Sequence, residues 1–332
     1  MLSFRLLSAA VGLLFLTACG GGGGNDSPPP SPTEAERVAA ASATANSNVS
    51  CAQATIGPFY WEIGDSIGPK ASGSVGPAAP TDSTMMSIAS ASKWLYSAYV
   101  VQRVGVRASD VPFLNFTSGY SMFYLPLCRP TDTVGSCLAG NDGFDPATEG
   151  RFAYDSGHMQ YHAVNAMGLG ALDNSALSAE LQAAIGDFGI VYTQPQLAGG
   201  AAASPAGYAS FLRRILRGEL AIANALGSNK VCTNPTTCST AVGTPIPSEE
   251  SWNYSLGHWV EDDPSLGDHA FSSAGAFGFY PWINSTKTLY GILARVSSGL
   301  EANAGYHSAQ CGRLIRQAWQ TGVPVTSTTP TP

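Results

Sequence analysis

The chain has 332 residues, 44% of them hydrophobic and 12% charged, and its 16 Lys and Arg against 23 Asp and Glu give a formal net charge of −7. With this acidic balance, four lysines and no basic cluster, it lacks the charge pattern of a nucleic-acid-binding protein, so we expect no nucleic-acid partner. Its length suffices for one large hydrophobic core or two closely joined lobes.

The N-terminal segment has the pattern of a secretion signal. Arg5 precedes an apolar run from Leu6 to Ala18, which ends in small residues and is too short to cross a bilayer. The sequence "LTAC" that ends at Cys19 resembles the bacterial lipobox, in which the cysteine becomes lipidated; cleavage nearby that leaves Cys19 unmodified is the alternative. We therefore predict a signal peptide over residues 1–18, export to the bacterial cell envelope, and membrane contact only through a lipid at Cys19.

Both ends of the mature chain are of low complexity. Residues 19–48 contain five consecutive glycines, a proline-rich stretch and then Ala, Ser and Thr, and residues 323–332 are rich in Thr and Pro. Such compositions bury too little apolar surface to offset the entropy of ordering. We predict a disordered tether over 19–48, one folded domain over 49–322 and a disordered tail over 323–332.

Six cysteines remain after Cys19, an even number that favours disulfides in an exported chain. Two pairs flank short turn-rich loops, and the third pair would tie the start of the domain to its last helix. Fifteen connectivities are open in principle, and zinc binding is the competing interpretation, although no C-x2-C pair occurs. We expect no metal and no cofactor, and the following pairs: Cys51–Cys311, Cys128–Cys137 and Cys232–Cys238.

Hydrophobic periodicity and turn residues predict an α+β fold. Strand patterns lie near both ends of the chain and helical patterns lie between them, without an internal repeat. We therefore expect an antiparallel sheet built from both chain ends, flanked by helices, with an inserted all-helical lobe. The predicted elements are two strands within 59–76, helices at 85–104, 158–170, 176–187 and 205–217, strands at 252–261 and 288–296, and a last helix at 308–320.

Ser90 and Lys93 are the first candidate site residues. Positions i and i+3 lie on one face of a helix, so the Lys93 amine can reach the Ser90 hydroxyl. A serine needs an adjacent base to become nucleophilic, and burial would lower the pKa of the lysine enough to make it one. A surface lysine beside an unrelated serine is the alternative, because this spacing alone occurs by chance.

Several segments in one order carry a resemblance to a known family. The sequence around Ser90 resembles the nucleophile helix of the serine β-lactamase and penicillin-binding-protein superfamily, especially its class C-like branch. The resemblance covers about residues 55–320 and implies a β-lactamase/transpeptidase-like fold. The matching segments are "MSIASASKWLYSAYVVQRVG" (86–105), "FLNFTSGY" (113–120), "GRFAYDSGHMQYHA" (150–163), "QLAGGAAASPAGYASFLRRILRG" (196–218), "YSLGHWVE" (254–261) and "FSSAGAFGFYPWI" (271–283).

This resemblance implies roles for individual residues. Ser90 would be the nucleophile that accepts the acyl group, and Lys93 would be its proton acceptor or its electrostatic partner. Tyr154 would act as phenolate base or proton shuttle, with its pKa lowered by Lys93. The backbone N–H groups of Ser90 and Ala276 would form the oxyanion hole.

Two departures from the family pattern bear on the substrate. Ser156 stands where the family has an asparagine, and Ser273-Ala274-Gly275 replaces a motif that begins with a cation that binds the substrate carboxylate. We expect Ser156, Ser273 and Gly275 to contact substrate, and the loss of the cation favours neutral acyl groups.

The favoured activity is therefore that of an exported carboxylesterase-like serine hydrolase, which cleaves a small-molecule or oligomeric substrate through an acyl-enzyme. Amide or β-lactam hydrolysis (β-lactamase, D,D-peptidase or amide-oligomer hydrolase) is the alternative, and a non-catalytic envelope-binding lipoprotein is a third. The oligomeric state stays open.

Other polar and aromatic residues have weaker claims to a functional role. His158 and His162 lie one helical turn apart, but no acidic ligand set accompanies them, so we interpret them as surface or cleft residues. Trp252, Tyr254 and Tyr280 are candidates for an aromatic rim around an apolar acyl group, with core packing as the alternative.

Overall fold

The structure is a computed structural model that describes residues 31–125, 128–141, 143–297 and 303–326. The predicted signal peptide and Cys19 lie outside the described residues. From Pro32 onward the chain forms one compact unit. No helix within the described ranges is long and apolar enough to cross a membrane.

Most helices of the described residues lie in the chain between the N-terminal and C-terminal strands, while two precede the first strand and one follows the last. Their apolar faces pack into a single large core. The helices are α1 (Glu34–Ser47), α2 (Gln53–Ile56), α3 (Ser92–Val104), α4 (Val111–Leu114), α5 (Val134–Leu138), α6 (Gly157–Asn165), α7 (Asn174–Ile185), α8 (Pro205–Leu216) and α9 (Ala304–Thr321).

The strands form one large sheet and two small ones. They are β1 (Phe59–Gly64), β2 (Pro69–Val75), β3 (Met86–Ser87), β4 (Phe152–Ala153), β5 (Val191–Tyr192), β6 (Ala201–Ala203), β7 (Val231–Cys232), β8 (Ala241–Gly243), β9 (Asn253–Ser255), β10 (His258–Glu261), β11 (Ala270–Ser272), β12 (Tyr280–Ile283) and β13 (Tyr290–Ala294).

The large sheet joins the two ends of the domain. Its order is β2-β1-β13-β12-β11-β10-β9-β7, and every pair in it is antiparallel. The helices α3 to α8 come between β2 and β9 in the chain, which confirms the predicted α+β fold with an inserted lobe. The lobe is not purely helical, however, because it also contains the small sheets β3-β6-β5 and β4-β8.

The helix predicted over 85–104 is shorter than expected. It begins only at Ser92, and a two-residue strand and a 3-10 turn precede it. The break falls at Ala89, whose φ of +43° lies in the left-handed region that non-glycine residues avoid. The strand segment predicted over 252–261 likewise divides into β9 and β10, because Leu256 and Gly257 form a tight turn with positive φ.

The prediction of a disordered tether over 19–48 is wrong for its second half, since α1 is a helix. Thr33 caps α1 through a capping box with Glu36, and the small residues of its buried face let it lie close to α9. Arg37 donates a hydrogen bond of 2.9 Å to a carbonyl oxygen at the end of α9. The folded unit therefore starts near Thr33 and not at residue 49.

The beginning of the predicted tail is also bound to the domain. The Val325 N–H donates to the Thr44 hydroxyl at 2.9 Å, and the Asn48 side chain donates to the Val325 carbonyl oxygen at 2.9 Å. Residues 327–332 lie outside the described residues.

All three predicted disulfides are present in the structure. Cys51–Cys311 joins the segment after α1 to α9, Cys128–Cys137 closes the loop before α5, and Cys232–Cys238 closes the loop after β7. The first of these crosslinks residues that are 260 positions apart in the chain.

Buried ion pairs fasten α9 to the large sheet. Arg316 is fully buried and contacts Glu261 at 3.0 Å and Asp268 at 2.6 Å. Two carboxylates of the acidic segment 259–268 thus neutralise this arginine. Removing one partner from such a buried cluster leaves an uncompensated charge, which is strongly destabilising.

Candidate active site

Ser90 and Lys93 face each other at the start of α3. The Lys93 Nζ lies 2.8 Å from the Ser90 Oγ and 2.8 Å from the Ala198 carbonyl oxygen. The Ala198 carbonyl can only accept, so it takes one N–H of the amine and orients the amine toward the serine. The pair predicted from the i, i+3 spacing is therefore formed in the structure.

The turn that presents Ser90 is tightly held. The Ser92 hydroxyl donates a hydrogen bond of 2.7 Å to the Ala89 carbonyl oxygen. The same hydroxyl accepts a hydrogen bond of 3.2 Å from the Ala201 N–H. These bonds couple the nucleophile turn to β6. The positive φ of Ala89 is strain that such bonds sustain, and it sets Ser90 at the edge of the helix and not inside it.

Burial changes the protonation of Lys93. Its side chain is only 2% exposed, and desolvation lowers its pKa from the ordinary value of 10.5 to about 7, against the opposing influence of the Asp155 carboxylate. Near neutral pH a large share of the molecules therefore carries an uncharged amine beside Ser90. An uncharged amine has the lone pair that a general base needs.

Tyr154 completes the cluster, although not in the protonation state predicted. Its ring centroid lies 4.8 Å from the Lys93 Nζ, and its hydroxyl is near the Ser90 side chain. Burial raises the pKa of Tyr154 well above its usual value, and the Ser90 contact opposes this only in part. The expectation of a lowered pKa was wrong because Tyr154 is buried, and the cost of desolvating a phenolate outweighs the influence of its neighbours.

Neighbouring rings fix the position of the Tyr154 side chain. Its ring stacks on Trp259 at a centroid distance of 5.3 Å and meets Phe116 edge-on at 5.3 Å. Tyr254 contacts it from a third side. Trp252, Tyr254 and Tyr280, the candidates for an aromatic rim, are all buried and belong to the core.

Ala276 is close to Ser90, and its role in an oxyanion hole stays a prediction. It borders both cavities that meet at Ser90. Among the described residues none accepts a hydrogen bond from the Ala276 N–H, so this donor is free to bind a substrate oxygen.

Ser273 and Gly275 do not line the cleft, which corrects their predicted contact with substrate. The Ser273 hydroxyl is buried and donates to the Ser90 carbonyl oxygen at 3.2 Å. Gly275 packs against the backbone of Ile88, so closely that a Cβ there would lie 2.1 Å from the Ile88 carbonyl oxygen. Both residues hold the nucleophile turn against the edge of the strand. The Gly275 contact with the Ile88 backbone leaves no room for a side chain, which explains why a glycine stands there.

Ser156 does face the cleft. It borders the larger cavity, and its hydroxyl has no hydrogen-bond partner in the part of the chain that the structure describes. Its role in binding substrate stays a prediction.

Two cavities meet at Ser90. The larger has a volume of about 770 Å³, and its wall includes apolar residues together with the polar side chains of Arg129, Gln194 and Gln196. The smaller has a volume of about 210 Å³ and contains Tyr154 and Trp259 in its wall. A substrate bound at Ser90 can thus place its two halves in different environments.

His158 lies in the core, and not at the surface or in the cleft as predicted. It is fully buried within α6, accepts from the Ser118 hydroxyl at 2.7 Å and donates to the Ala153 carbonyl oxygen at 3.0 Å. Desolvation lowers its pKa to about 4, so the ring is neutral in this arrangement. It holds the backbone next to Tyr154 and does not line the cleft.

The structure also gives two residues of the matching segments positions that the sequence did not predict. Ala198, which orients Lys93 through its carbonyl, lies in a loop brought back to α3 only by folding. His162, which was expected at the surface or in the cleft, is instead buried against Asp110 and Tyr96. Within the described ranges no group of three or more His, Cys, Asp or Glu residues is placed to hold a metal ion.

Known proteins resemble this chain in structure but not detectably in sequence. No protein-family model matches the chain, and no curated protein sequence matches it. Among solved structures, the D-amino acid amidase from Ochrobactrum anthropi SV3 aligns with a TM-score of 0.58 at 12% identity, over 78% of this chain and 94% of the amidase.

Two further structures show the same likeness. EstCE1, a hydrolase with promiscuous acyltransferase activity, aligns with a TM-score of 0.58 at 11% identity, over 84% of this chain and 98% of EstCE1. A β-lactamase from Mycobacterium bovis aligns with a TM-score of 0.53 at 14% identity, over 80% of this chain and 96% of the β-lactamase. The chain therefore has the β-lactamase/penicillin-binding-protein fold that its motifs predict.

Proposed function

We propose that this protein is a serine hydrolase that cleaves esters through an acyl-enzyme on Ser90. The observation that carries the proposal is the contact of 2.8 Å between the Ser90 hydroxyl and a buried Lys93 whose pKa is lowered to about 7. A weak nucleophile and a base of matched pKa are thereby in contact at the junction of two cavities.

In the proposed reaction the Ser90 Oγ attacks the substrate carbonyl carbon while its proton moves to the Lys93 Nζ. The N–H groups of Ser90 and Ala276 stabilise the resulting oxyanion. Tyr154, which keeps its proton because burial raises its pKa, donates that proton to the departing alkoxide and regains one from the Lys93 ammonium. Water then takes the position of the departed alcohol and attacks the acyl-enzyme. The proton transfers of the first half run in the opposite direction, and the acid is released with the Ser90 hydroxyl restored.

The smaller cavity favours an alcohol as leaving group. Tyr154 borders this cavity but not the larger one, so a leaving group that receives the Tyr154 proton lies there. The described residues in its wall include no lysine and no arginine. A leaving group with a carboxylate, such as a terminal amino acid, would lack a counter-ion at this position, whereas a small neutral alcohol needs none.

Amide hydrolysis is the second candidate. An amine leaves only after it is protonated, and Tyr154 is a protonated phenol placed between Ser90 and the smaller cavity. The structural likeness to a D-amino acid amidase is compatible with this chemistry but concerns the fold.

We also propose that the protein is exported and held at the membrane by a lipid on Cys19. The apolar N-terminal run and the "LTAC" sequence support export. The three disulfides support an oxidising compartment, since such bonds rarely persist in a reducing cytosol.

The test is a substrate panel offered to purified protein comprising residues 31–332. Short-chain p-nitrophenyl esters, p-nitroanilides and nitrocefin are compared, and Ser90 is titrated with a fluorophosphonate probe. We expect ester turnover, and labelling that Ser90→Ala abolishes while Ser83→Ala, an exposed serine on the preceding segment, leaves it intact. Nitrocefin turnover without ester cleavage would reject the ester assignment, and equal labelling of Ser90→Ala would reject the nucleophile.

A further inference from the structure

We propose that Arg129 makes the larger cavity selective for acyl groups that end in a carboxylate. This inference rests on the proposed serine hydrolase function, and it identifies the class of acid that the enzyme releases. Three observations support the proposal: the Arg129 guanidinium has no partner among the described residues, the larger cavity has a positive charge balance, and Tyr154 borders only the smaller cavity.

Arg129 is the one cation without a partner in the part of the chain that the structure describes. Its guanidinium makes no hydrogen bond and no ion pair there, whereas each other described lysine and arginine makes at least one. The partnered cations are Arg37, Lys70, Lys93, Arg103, Arg107, Arg151, Arg213, Arg214, Arg217, Lys230, Lys287, Arg295, Arg313 and Arg316.

The charged residues in the described wall of the larger cavity, which Arg129 borders, are all basic. Its described wall contains Arg129 and Lys93 as charged residues and no aspartate or glutamate, although the whole chain has a net charge of −7. Lys93 is committed to Ser90 and the Ala198 carbonyl oxygen. Arg129 is an exposed residue at the wall of this cavity, and its guanidinium, which has no partner among the described residues, can bind the carboxylate of an entering anion through two parallel hydrogen bonds.

The two cavities can be assigned to the two halves of the substrate. The proton donor for the leaving group, Tyr154, borders only the smaller cavity. The acyl group must then extend from Ser90 into the larger cavity, which at about 770 Å³ has room for a long chain. A negative charge recognised by Arg129 consequently belongs to the acyl group and not to the alcohol. This differs from the neutral acyl groups expected from the sequence, because that expectation considered only the cation missing from the motif at Ser273 and not Arg129.

The backbone around Arg129 is held in place, as a specificity residue requires. Cys128, its neighbour, is bound to Cys137, and the Arg129 N–H donates to the Asp132 carboxylate at 2.6 Å. The Asn174 side chain donates to the carbonyl oxygens of Pro130 and Thr193, at 2.9 and 3.0 Å. Since Pro130 and Thr193 both border the larger cavity, Asn174 ties two of its walls together.

The test compares charged and neutral substrates of equal length. Monoethyl esters of linear dicarboxylic acids, from succinate to sebacate, are offered beside the corresponding ethyl ester amides, which replace the free carboxylate by a neutral carboxamide. Hydrolysis is followed by pH-stat at about pH 8, where Lys93 is mostly uncharged. The variants are Arg129→Gln, Arg129→Lys and the control Arg151→Gln, an exposed arginine outside both cavities.

We expect wild type to prefer the anionic member of at least one pair by about tenfold in kcat/KM, as a solvent-accessible charged hydrogen bond allows. Arg129→Gln should remove the preference while neutral substrates are cleaved as before, Arg129→Lys should keep part of it, and Arg151→Gln should keep all of it. The preference should also shrink between about 20 mM and about 0.5 M salt.

Equal rates for both members of every pair, with turnover present, would overturn the role of Arg129 and leave the serine hydrolase proposal standing. A preference that persists in Arg129→Gln would do the same. Absence of turnover on all substrates, together with absence of Ser90 labelling, would instead reject the proposed function and this inference with it.

Discussion

Replacing Lys93 by methionine should abolish activity and at the same time stabilise the protein. The amine is 2% exposed, and its pKa falls from 10.5 to about 7 because burial disfavours the ammonium. A depression of this size corresponds to about 5 kcal/mol of folding free energy lost at neutral pH. Methionine has a similar length and carries no charge, so Lys93→Met removes that cost.

Part of the gain is offset by lost hydrogen bonds. Lys93 bonds to the Ser90 hydroxyl and to the Ala198 carbonyl oxygen, and each such bond contributes about 1 kcal/mol. The net expectation is an increase of about 2–3 kcal/mol in the free energy of unfolding at pH 7. Acylation by a fluorophosphonate should slow by about 1,000-fold or more, since the base is gone.

The gain should depend on pH in a defined direction. Native Lys93 releases its proton near pH 7, whereas the unfolded chain keeps it up to about pH 10.5. Between these values the unfolded state binds more protons, so the stability of wild type rises with pH. The advantage of Lys93→Met is therefore full at pH 7 and below, and it shrinks toward pH 10. Acylation of wild type should rise through about pH 7 and then level off.

Urea unfolding of wild type and Lys93→Met at several pH values between 6 and 10, followed by tryptophan fluorescence, measures these changes. Lys230→Met is the matched control, because this lysine is 44% exposed and paired with Asp262, so that its removal should give no gain in stability. A Lys93→Met protein that is less stable than wild type at pH 7, or equally affected at all pH values, would refute the claim that Lys93 is held uncharged by burial.

Two further predictions concern the chain ends and the disulfides. Deleting residues up to the end of α1 should lower the free energy of unfolding by about 3 kcal/mol, since α1 buries an alanine face on α9, while deleting only residues 1–30 should leave the urea midpoint unchanged. Removing the disulfide at Cys51, which spans 260 residues, should cost about 5 kcal/mol, and removing the one at Cys232, which spans 6, about 2 kcal/mol. Equal thermal shifts for the two disulfide variants would contradict the loop-length argument.

Local patterns in the sequence predicted those parts of the site that are local in the chain. Ser90 and Lys93 are three residues apart, so helical geometry alone brings them together. Tyr154 is 64 residues beyond Ser90 and was assigned by resemblance, and its place beside the pair depends on stacking with Trp259 and Phe116. Its protonation state could not be read from the sequence, because it depends on burial in the folded protein.

The predictions that were wrong also concern features that depend on contacts formed only in the folded protein. The segment before residue 48 is poor in large apolar side chains, yet α1 is stable because alanines allow close packing on α9 and Thr33 caps its first turn. Ser273 was assigned to substrate from its place in a motif, but its short side chain turns back to the Ser90 carbonyl oxygen. Arg129 lies in no motif, and only the folded loop shows that it borders the cavity without a partner.

The contact between α1 and the C-terminal segment brings the two ends of the folded unit together. Pro32 packs against Gly322, and Val325 is bonded to Thr44. Joining these ends covalently would need only a short peptide, so a cyclised or circularly permuted form is compatible with the fold. Cyclisation would nevertheless add little stability, because the Cys51–Cys311 bond already restricts most of the chain entropy that a closed ring removes.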